Sequence, residues 1–169
     1  MSNFAPSGAS DWELRLNAIL PLFGHRNWIV VADSAYPLQS RPGIETVVSG
    51  EDQLTVVRAV LDAIRSSLHV RAQVHADKEL AFVSEQDSPG VTDYRQQLSA
   101  LLQGSTVKYT LHEEIITRLD SFSEVFNVFI IKTNMTIPYT SVFFELDCGY
   151  WNPGARERLQ QAMLFADLK

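Results

Sequence analysis

Cysteine is almost absent from this sequence, because Cys148 is the only one in 169 residues. A single thiol excludes an internal disulfide and any metal site built from several thiolates. Such scarcity is typical of proteins that work in a reducing compartment, so we expect a cytoplasmic location. Disulfide scaffolds and thiolate metal centres are thereby removed from the function classes to consider.

Positive charge and long apolar runs are also scarce. The sequence has 14 basic and 20 acidic residues, a net charge of −6, whereas nucleic-acid binders usually carry a basic patch. No apolar run approaches the roughly 20 residues of a membrane-spanning helix. Residues 1–10 lack the features of a signal peptide and are predicted to form a flexible tail. We therefore expect a soluble protein with neither nucleic acid nor a membrane as its partner.

Several catalytic and phosphate-binding motifs are missing as well. The sequence has no Walker loop, no Gly-x-Gly-x-x-Gly and no Gly-x-Ser-x-Gly elbow. None of its four histidines forms the His-x-x-x-His pair of a helical zinc site. A metal held by His25, His112 and Asp33 is conceivable, but we expect neither a metal nor a cofactor.

What the chain does contain is an alternation of apolar strands and amphipathic helices. Strands are predicted at 28–32, 45–48, 68–74, 106–110, 127–133 and 139–146, and helices at 11–22, 51–67, 91–103, 112–120 and 153–166. Residues 75–90 are predicted to be irregular, and the last two strands form either a hairpin or two separated neighbours. This alternation favours a single three-layer α/β/α domain over residues 11–169, with a mostly parallel, mixed sheet.

The stretch from residue 24 to residue 37 has the clearest functional signal. Its apolar run, Trp28–Ala32, is preceded by His25 and followed by Asp33. Imidazole and carboxylate groups suit acid–base chemistry, and loops at strand ends are where α/β proteins usually hold functional groups. From the residues alone, His25 could equally tie down a turn, and Asp33 could cap a loop.

Another histidine stands at a predicted helix start. The run Thr110–Glu113 matches a capping box with its threonine as the N-cap, which places His112 in the first helical turn. His112 is then either a plain helix-start residue or an acid–base group. Tyr139 is either an ordinary strand aromatic or part of a site, whereas His69 and His75 are expected to be structural.

Three blocks of sequence occur in an order that matches a known family. They are Gly24–Asn27 with Ile29–Asp33 and Pro37, then Tyr109–Glu114, then Pro138–Phe144. Together they resemble the RbsD/FucU family of D-ribose pyranases and L-fucose mutarotases. The span is about residues 14–150, so the helix predicted at 153–166 lies beyond the usual end of the family.

The resemblance implies an RbsD-like α/β domain and a cofactor-independent isomerase. Such an enzyme interconverts pyranose and furanose forms, or anomers, of a monosaccharide such as ribose or fucose. By resemblance, His25 is the proton donor, and the sugar-binding residues are Asp33, His112, Tyr139, Thr140 and Ser141. Family members form ring-like homo-oligomers with sites at subunit interfaces, and we expect the same here.

The chain departs from the family's pattern at several points: Asn134-Met135 replaces a Gly-Glu pair, and two further changes fall on candidate site positions. Asn27 replaces an aspartate, and Ser141 replaces a sugar-binding asparagine. One alternative is therefore a non-catalytic sugar-binding or regulatory homologue. Another is an interaction domain whose final helix recruits a partner. The sequence does not name the sugar.

Strand length determines how His25 and Asp33 can cooperate. They stand eight residues apart, and an extended chain of that length spans on the order of 26 Å at about 3.3 Å per residue. One monosaccharide cannot readily touch both ends of such a strand. We therefore expect His25 of one subunit to meet Asp33, His112 and Tyr139 of its neighbour, and an isolated monomer to be inactive.

Overall fold

The computed structural model of the chain describes residues 10–166, and within them six strands form one mixed sheet accompanied by five α-helices. The strands are β1 (Trp28–Ala32), β2 (Ile44–Val48), β3 (Val70–Asp77), β4 (Val107–Thr110), β5 (Val128–Lys132) and β6 (Val142–Cys148). The helices are α1 (Asp11–Ile19), α2 (Gln53–Ser66), α3 (Val91–Leu101), α4 (His112–Phe122) and α5 (Pro153–Ala166). Short 3₁₀ turns occupy Leu20–Leu22 and Lys78–Phe82. Of the predicted tail, only Ser10 is among the described residues.

The sheet has the order β2-β5-β1-β6-β3-β4. Every neighbouring pair is parallel except the two that include β6, which runs antiparallel to both β1 and β3. This confirms the mostly parallel, mixed sheet. Because β1 lies between β5 and β6, those two strands do not pair with each other, and the alternative of a hairpin is wrong.

Helices cover both faces of the sheet, as the three-layer prediction requires. One face packs against α1, α2 and α3 in a single large apolar cluster. The other face packs against α4, whose Ile115 and Leu119 contact the cluster around Trp28 and Phe143. All five residues of β1 are fully buried, which explains why this strand is a continuous apolar run with no alternation.

The prediction for residues 75–90 is partly wrong, because β3 continues to Asp77. His75 sits inside this strand with its ring stacked on Trp28 at 5.2 Å and its Nε2 2.8 Å from Glu145 of β6. Arg118 of α4 completes the network with a 2.7 Å bond to the same glutamate. These polar residues can belong to a strand because their partners lie on β6 and α4.

The predicted capping box is also wrong. Leu111, not Thr110, is the N-cap of α4, and it makes no side-chain capping bond. Instead, the backbone N–H of His112 donates to both carboxylate oxygens of Glu79, at 3.0 and 3.1 Å. A carboxylate at a helix N-terminus satisfies a free N–H and opposes the helix dipole, so a distant residue performs the capping.

The end of the chain leaves the sheet at Gly149. A Cβ there would lie 2.9 Å from both the carbonyl oxygen of Leu68 and the backbone nitrogen of Val70, so only glycine fits without displacing the backbone. The helix that follows, α5, buries none of its side chains. Among residues 10–166, no helix combines the length and apolarity that a membrane crossing requires.

Candidate functional site

Polar side chains gather at the edge of the sheet where the parallel strands end. Asp33 follows β1, Asp77 ends β3, and His112 follows β4. Because β6 is antiparallel, residues 139–141 at its start reach this same edge. We refer to Asp33, Asp77, His112 and residues 139–141 as the strand-end cluster. Ligands of open α/β sheets commonly bind at such an edge.

Asp77 and His112 form the central pair of the cluster. The Asp77 Oδ2 atom lies 2.9 Å from His112 Nδ1, and the Asp77 side chain is 0% exposed whereas that of His112 is 29% exposed. Burial raises the pKa of Asp77 to about 6, although the neighbouring imidazole acts to lower it. With Asp77 ionised, Nδ1 of His112 is the donor, which leaves Nε2 free to exchange a proton with a bound molecule.

Asp33 supplies a second carboxyl group beside this pair. Burial raises the pKa of Asp33, and the backbone N–H groups of Tyr36 and Ala35 counteract part of the rise. Its own backbone N–H donates to the Ser141 hydroxyl at 3.4 Å. The negative charge of Asp33 also contributes to the raised pKa of Asp77, so the two carboxyl groups are electrostatically coupled.

Tyr139 presents its ring at the mouth of the cluster. The ring packs edge-on against His112, with centroids 5.7 Å apart, and it is partly exposed. Its φ of 59° is left-handed, which costs a non-glycine residue on the order of 1 kcal/mol or more. Strained residues of this kind persist only where neighbours hold them, and they concentrate at functional sites.

A buried amide holds Tyr139 in this conformation. The Gln53 Nε2 group donates to the carbonyl oxygens of Thr140 and Val31, at 2.8 and 3.0 Å, and its Oε1 accepts from Thr133 at 2.6 Å. The Thr140 carbonyl also accepts from the hydroxyl of Tyr94 at 2.9 Å. One side chain of α2 thereby connects β1, the end of β5 and the start of β6.

Two buried polar atoms of this region have no hydrogen-bond partner among the described residues. They are the Tyr36 hydroxyl and the Asp77 Oδ1 atom. Burial together with the charges of Asp120, Asp77 and Asp33 raises the pKa of Tyr36. Leaving such a group unpaired costs about 1–3 kcal/mol, so each of these two atoms has an unused capacity for a hydrogen bond.

The structure brings together all the predicted site residues except His25. The hydroxyl of Thr140 is turned inward, however, where it donates to the Ile137 carbonyl at 2.8 Å. His25 precedes β1 and lies at the opposite edge, with Nδ1 2.8 Å from Asp147 at the end of β6. Within one chain, β1 therefore separates His25 from Asp33 and His112.

Asn27 has a structural role in the turn beside His25. Its Oδ1 accepts from the Gly24 backbone N–H at 2.8 Å, and its Nδ2 donates to the Asn127 carbonyl at 3.1 Å. The amide uses both its donor and its acceptor, a combination that an ionised aspartate does not offer. The departure from the family's pattern at this position is thus accommodated by local hydrogen bonding.

Within one chain, His25, His112 and Asp33 are too far apart to hold a metal together. His25 is at one edge of the sheet and the other two are at the opposite edge. Among residues 10–166, no three His, Cys, Asp or Glu side chains are grouped so that they could bind one ion. The groups that the strand-end cluster does offer are the imidazole of His112 and the carboxyl groups of Asp33 and Asp77.

Sequence reasoning missed Asp77, Glu79 and Gln53. Asp77 and Glu79 fell in the stretch predicted to be irregular, although a longer β3 would have placed Asp77 at a strand end beside Asp33. Nothing in the local pattern distinguishes Gln53 from any polar residue at a helix start.

Comparison with known proteins identifies the family of the chain. The model of the RbsD / FucU transport protein family matches residues 13–148. The chain belongs to this family. The match ends where β6 ends, so α5 lies outside the region shared with the RbsD/FucU family. No curated protein matches the chain.

Solved RbsD and FucU structures share the fold. Bacillus subtilis RbsD complexed with D-ribose has a TM-score of 0.55 and 17% identity, covering 87% of this chain and 98% of that one. The fucose mutarotase of Streptococcus pneumoniae in complex with L-fucose has a TM-score of 0.52 and 20% identity, covering 86% and 98%. FucU from Bifidobacterium longum has a TM-score of 0.51 and 12% identity, covering 79% and 92%. At these identities the likeness shows the fold alone, and it confirms the RbsD-like α/β prediction.

Proposed function

We propose that this protein is a cofactor-independent isomerase that interconverts ring forms or anomers of a monosaccharide such as ribose or fucose. The observation that carries the proposal is the buried Asp77 carboxylate, 2.9 Å from Nδ1 of a partly exposed His112. Membership of the RbsD/FucU family supports a sugar as the ligand, as do the D-ribose and L-fucose held by two structures of the same fold.

Ring opening requires two proton transfers. The anomeric hydroxyl loses its proton while the ring oxygen gains one; the bond between C1 and the ring oxygen breaks, and C1 becomes an aldehyde. Rotation about the bond from C1 to C2, or attack by a different hydroxyl, then gives another anomer or ring size when the steps reverse. Imidazole groups suit both transfers because their ordinary pKa of about 6.5 is close to working pH.

In the proposed mechanism, two histidines share these transfers. His112 removes the proton from the anomeric hydroxyl through Nε2, since Asp77 engages its Nδ1. His25 of the partner subunit protonates the ring oxygen. Asp33 and Tyr139 bind the remaining hydroxyl groups and orient the sugar. A positioned acid or base contributes roughly 10²–10⁴-fold, which is adequate for a reaction that also proceeds unaided in water.

The site is proposed to be shared between subunits of a ring-like homo-oligomer. The five residues of β1 separate His25 from Asp33, a length of about 16 Å at roughly 3.3 Å per residue. A monosaccharide bound at the strand-end cluster is therefore out of reach of His25 in the same chain. A neighbouring subunit that presents its own His25 completes the site.

The proposal is tested by magnetisation-transfer NMR on equilibrium mixtures of D-ribose and L-fucose. We expect the wild-type protein to accelerate exchange between ring forms, and we expect His25→Ala and His112→Ala each to reduce the rate at least about 10²-fold. The matched control is His69→Gln, since the ring nitrogen Nε2 of His69 lies 3.1 Å from the carbonyl oxygens of Leu20 and Phe23, away from the strand-end cluster. Unaltered exchange in both test variants would contradict the proposal.

A second candidate is a sugar-binding homologue that does not catalyse exchange. The short hydroxyl of Ser141 favours it, because that hydroxyl is engaged by the backbone N–H of Asp33 where the family has a sugar-binding amide. Saturable sugar binding without faster exchange would select this candidate. An absence of any sugar binding would instead favour the interaction domain whose final helix recruits a partner.

A further inference from the structure

A concave surface lies around His25, at the edge of the sheet opposite the strand-end cluster. It is a cleft of about 450 Å³, which falls within the range of roughly 300–1,000 Å³ typical of small-molecule sites. One side is formed by His25 together with Arg71 and Asp147. The other side is formed by the C-terminal segment, through Trp151, Arg156 and Gln160.

The C-terminal segment lies outside the two buried apolar clusters. None of the side chains of α5 is buried, and the segment lies outside the region matched by the family model, residues 13–148. Gly149 nevertheless fixes where the segment begins, because its backbone passes too close to Leu68 and Val70 to accept a side chain. The segment thus begins at the same end of β6 as Asp147, the hydrogen-bond partner of His25.

The side chains of the cleft have the chemistry that a sugar requires. Trp151, which is 40% exposed, offers a flat apolar surface for the C–H face of a sugar ring. The planar groups of Arg156 and Gln160 provide paired hydrogen-bonding atoms at the spacing of adjacent hydroxyls. Asp147 accepts from Arg71 at 2.9 Å, which leaves its pKa lowered and its carboxylate ionised.

The charges of the cleft balance one another. Arg71 and Arg156 contribute two positive charges, and Asp147 and Glu157 contribute two negative ones. Such a lining favours a neutral, hydroxyl-rich ligand over an anion. The cleft is therefore matched to an uncharged monosaccharide and not to a phosphate ester.

We propose that Trp151, Arg156 and Gln160 are specificity-determining residues for the sugar, and that residues 151–160 form one wall of the pocket in which His25 acts. The wall accompanies His25 when that residue enters the shared site of an oligomer. This inference rests on the proposed function only in assigning His25 to the reaction.

Tryptophan labelling tests the contact directly. The chain has three tryptophans, of which Trp12 and Trp28 are buried and serve as internal references for Trp151. In protein labelled with 5-fluorotryptophan, the variant Trp151→Phe identifies the Trp151 resonance in the ¹⁹F spectrum. Titration with D-ribose and L-fucose is expected to shift that resonance saturably while the Trp12 resonance stays in place.

Kinetics test the role in specificity. We expect Trp151→Ala and Gln160→Ala to raise KM about tenfold while kcat changes less than about twofold, because uniform binding is lost and not the chemical step. The matched control is Met163→Ala, an exposed residue of the same helix that does not line the cleft. An equal effect of Met163→Ala would overturn the inference.

The inference and the proposed function fail in different ways. If the wild-type protein accelerates exchange but the Trp151 resonance does not move and KM is unaffected by Trp151→Ala, the inference is overturned and the function stands. If the Trp151 resonance moves on sugar binding but exchange is not accelerated, the contact between residues 151–160 and the sugar is supported. The proposed isomerase activity is then overturned.

Discussion

A fully buried carboxylate oxygen of Asp77 lies 2.9 Å from Nδ1 of His112. The pKa of Asp77 is raised to about 6 by burial, so this carboxyl group gains or loses its proton just below neutral pH. Above about pH 6 the carboxylate of Asp77 is ionised and accepts a hydrogen bond from Nδ1 of His112, which turns Nε2 away from Asp77.

We expect exchange activity to fall as the pH drops through about 6, because protonation of Asp77 removes the charge that orients His112. Asp77→Asn should lower kcat/KM about tenfold or more and remove this acidic limb of the profile. The measurement is the exchange rate between about pH 4.5 and pH 8, with exposed Asp62→Asn as the control. If Asp77→Asn keeps the wild-type exchange rate and the wild-type decrease in rate at low pH, this role for Asp77 is contradicted.

The same substitution should make the protein more stable. A carboxyl group with a raised pKa in the folded state favours folding in its protonated form. Its contribution is therefore present below its ordinary pKa of 3.8 and is lost as the pH rises to about 6. At pH 7, Asp77→Asn should raise the free energy of unfolding by on the order of 2 kcal/mol. Urea denaturation at pH 4 and at pH 7 would check this, and a variant less stable than the wild type at pH 7 would count against it.

Mixing two inactive variants tests whether the site is shared. His25→Ala and His112→Ala remove groups from opposite edges of the sheet, so a hybrid oligomer recovers some intact sites. Random mixing of equal amounts restores about one site in four. We expect exchange activity to reappear after the two variants are unfolded and refolded together, but not after each is refolded alone. Lack of recovery in verified hybrid oligomers would argue against a shared site.

Gln53 is expected to be a stability residue that also supports the site. Replacing it with leucine removes the bonds to the Val31 and Thr140 carbonyls, which are buried. We expect Gln53→Leu to lower the free energy of unfolding by about 1–3 kcal/mol and to weaken sugar binding by releasing Tyr139. Urea denaturation gives the first value. The exposed Gln96→Leu should stay within about 0.5 kcal/mol of the wild type.

Two glycines form a matched pair for testing the start of the C-terminal segment. A Cβ at Gly149 would lie 2.9 Å from backbone atoms of Leu68 and Val70, whereas a Cβ at Gly24 has no atom within 4 Å. Gly149→Ala should therefore lower the free energy of unfolding by about 1–3 kcal/mol, and Gly24→Ala by less than about 0.5 kcal/mol. Equal effects in thermal denaturation would show that the close approach at Gly149 is unimportant.

The part of the fold that could be predicted from the sequence is the part dictated by local patterns. β1 occurs where it was predicted, because a strand buried on both faces requires an unbroken apolar run. β3 was predicted too short, because His75 and Asp77 find their partners in Glu145 and His112, far along the chain. Tertiary contacts overrode the local polarity.

The candidate site shows the same division. The family resemblance identified Asp33, His112 and Tyr139 as candidate site residues. The structure places all three at one edge of the sheet. The capping of His112 by Glu79 was not predictable, since these residues are 33 positions apart and Thr110 offered a local alternative. The separation of His25 from Asp33 was predictable, because strand geometry alone requires it.

The position of β1 at the centre of the sheet has a consequence for the order of folding. Trp28 of β1 pairs with Val128 of β5 and with Glu145 of β6. Both partners of Trp28 therefore lie at least 100 residues further along the chain. During synthesis, the most apolar strand of the chain therefore stays unpaired until β5 and β6 have been synthesised. Such long-range closure slows folding and exposes the strand to association with other chains. We expect early, incomplete chains of this protein to depend on chaperones that shield β1.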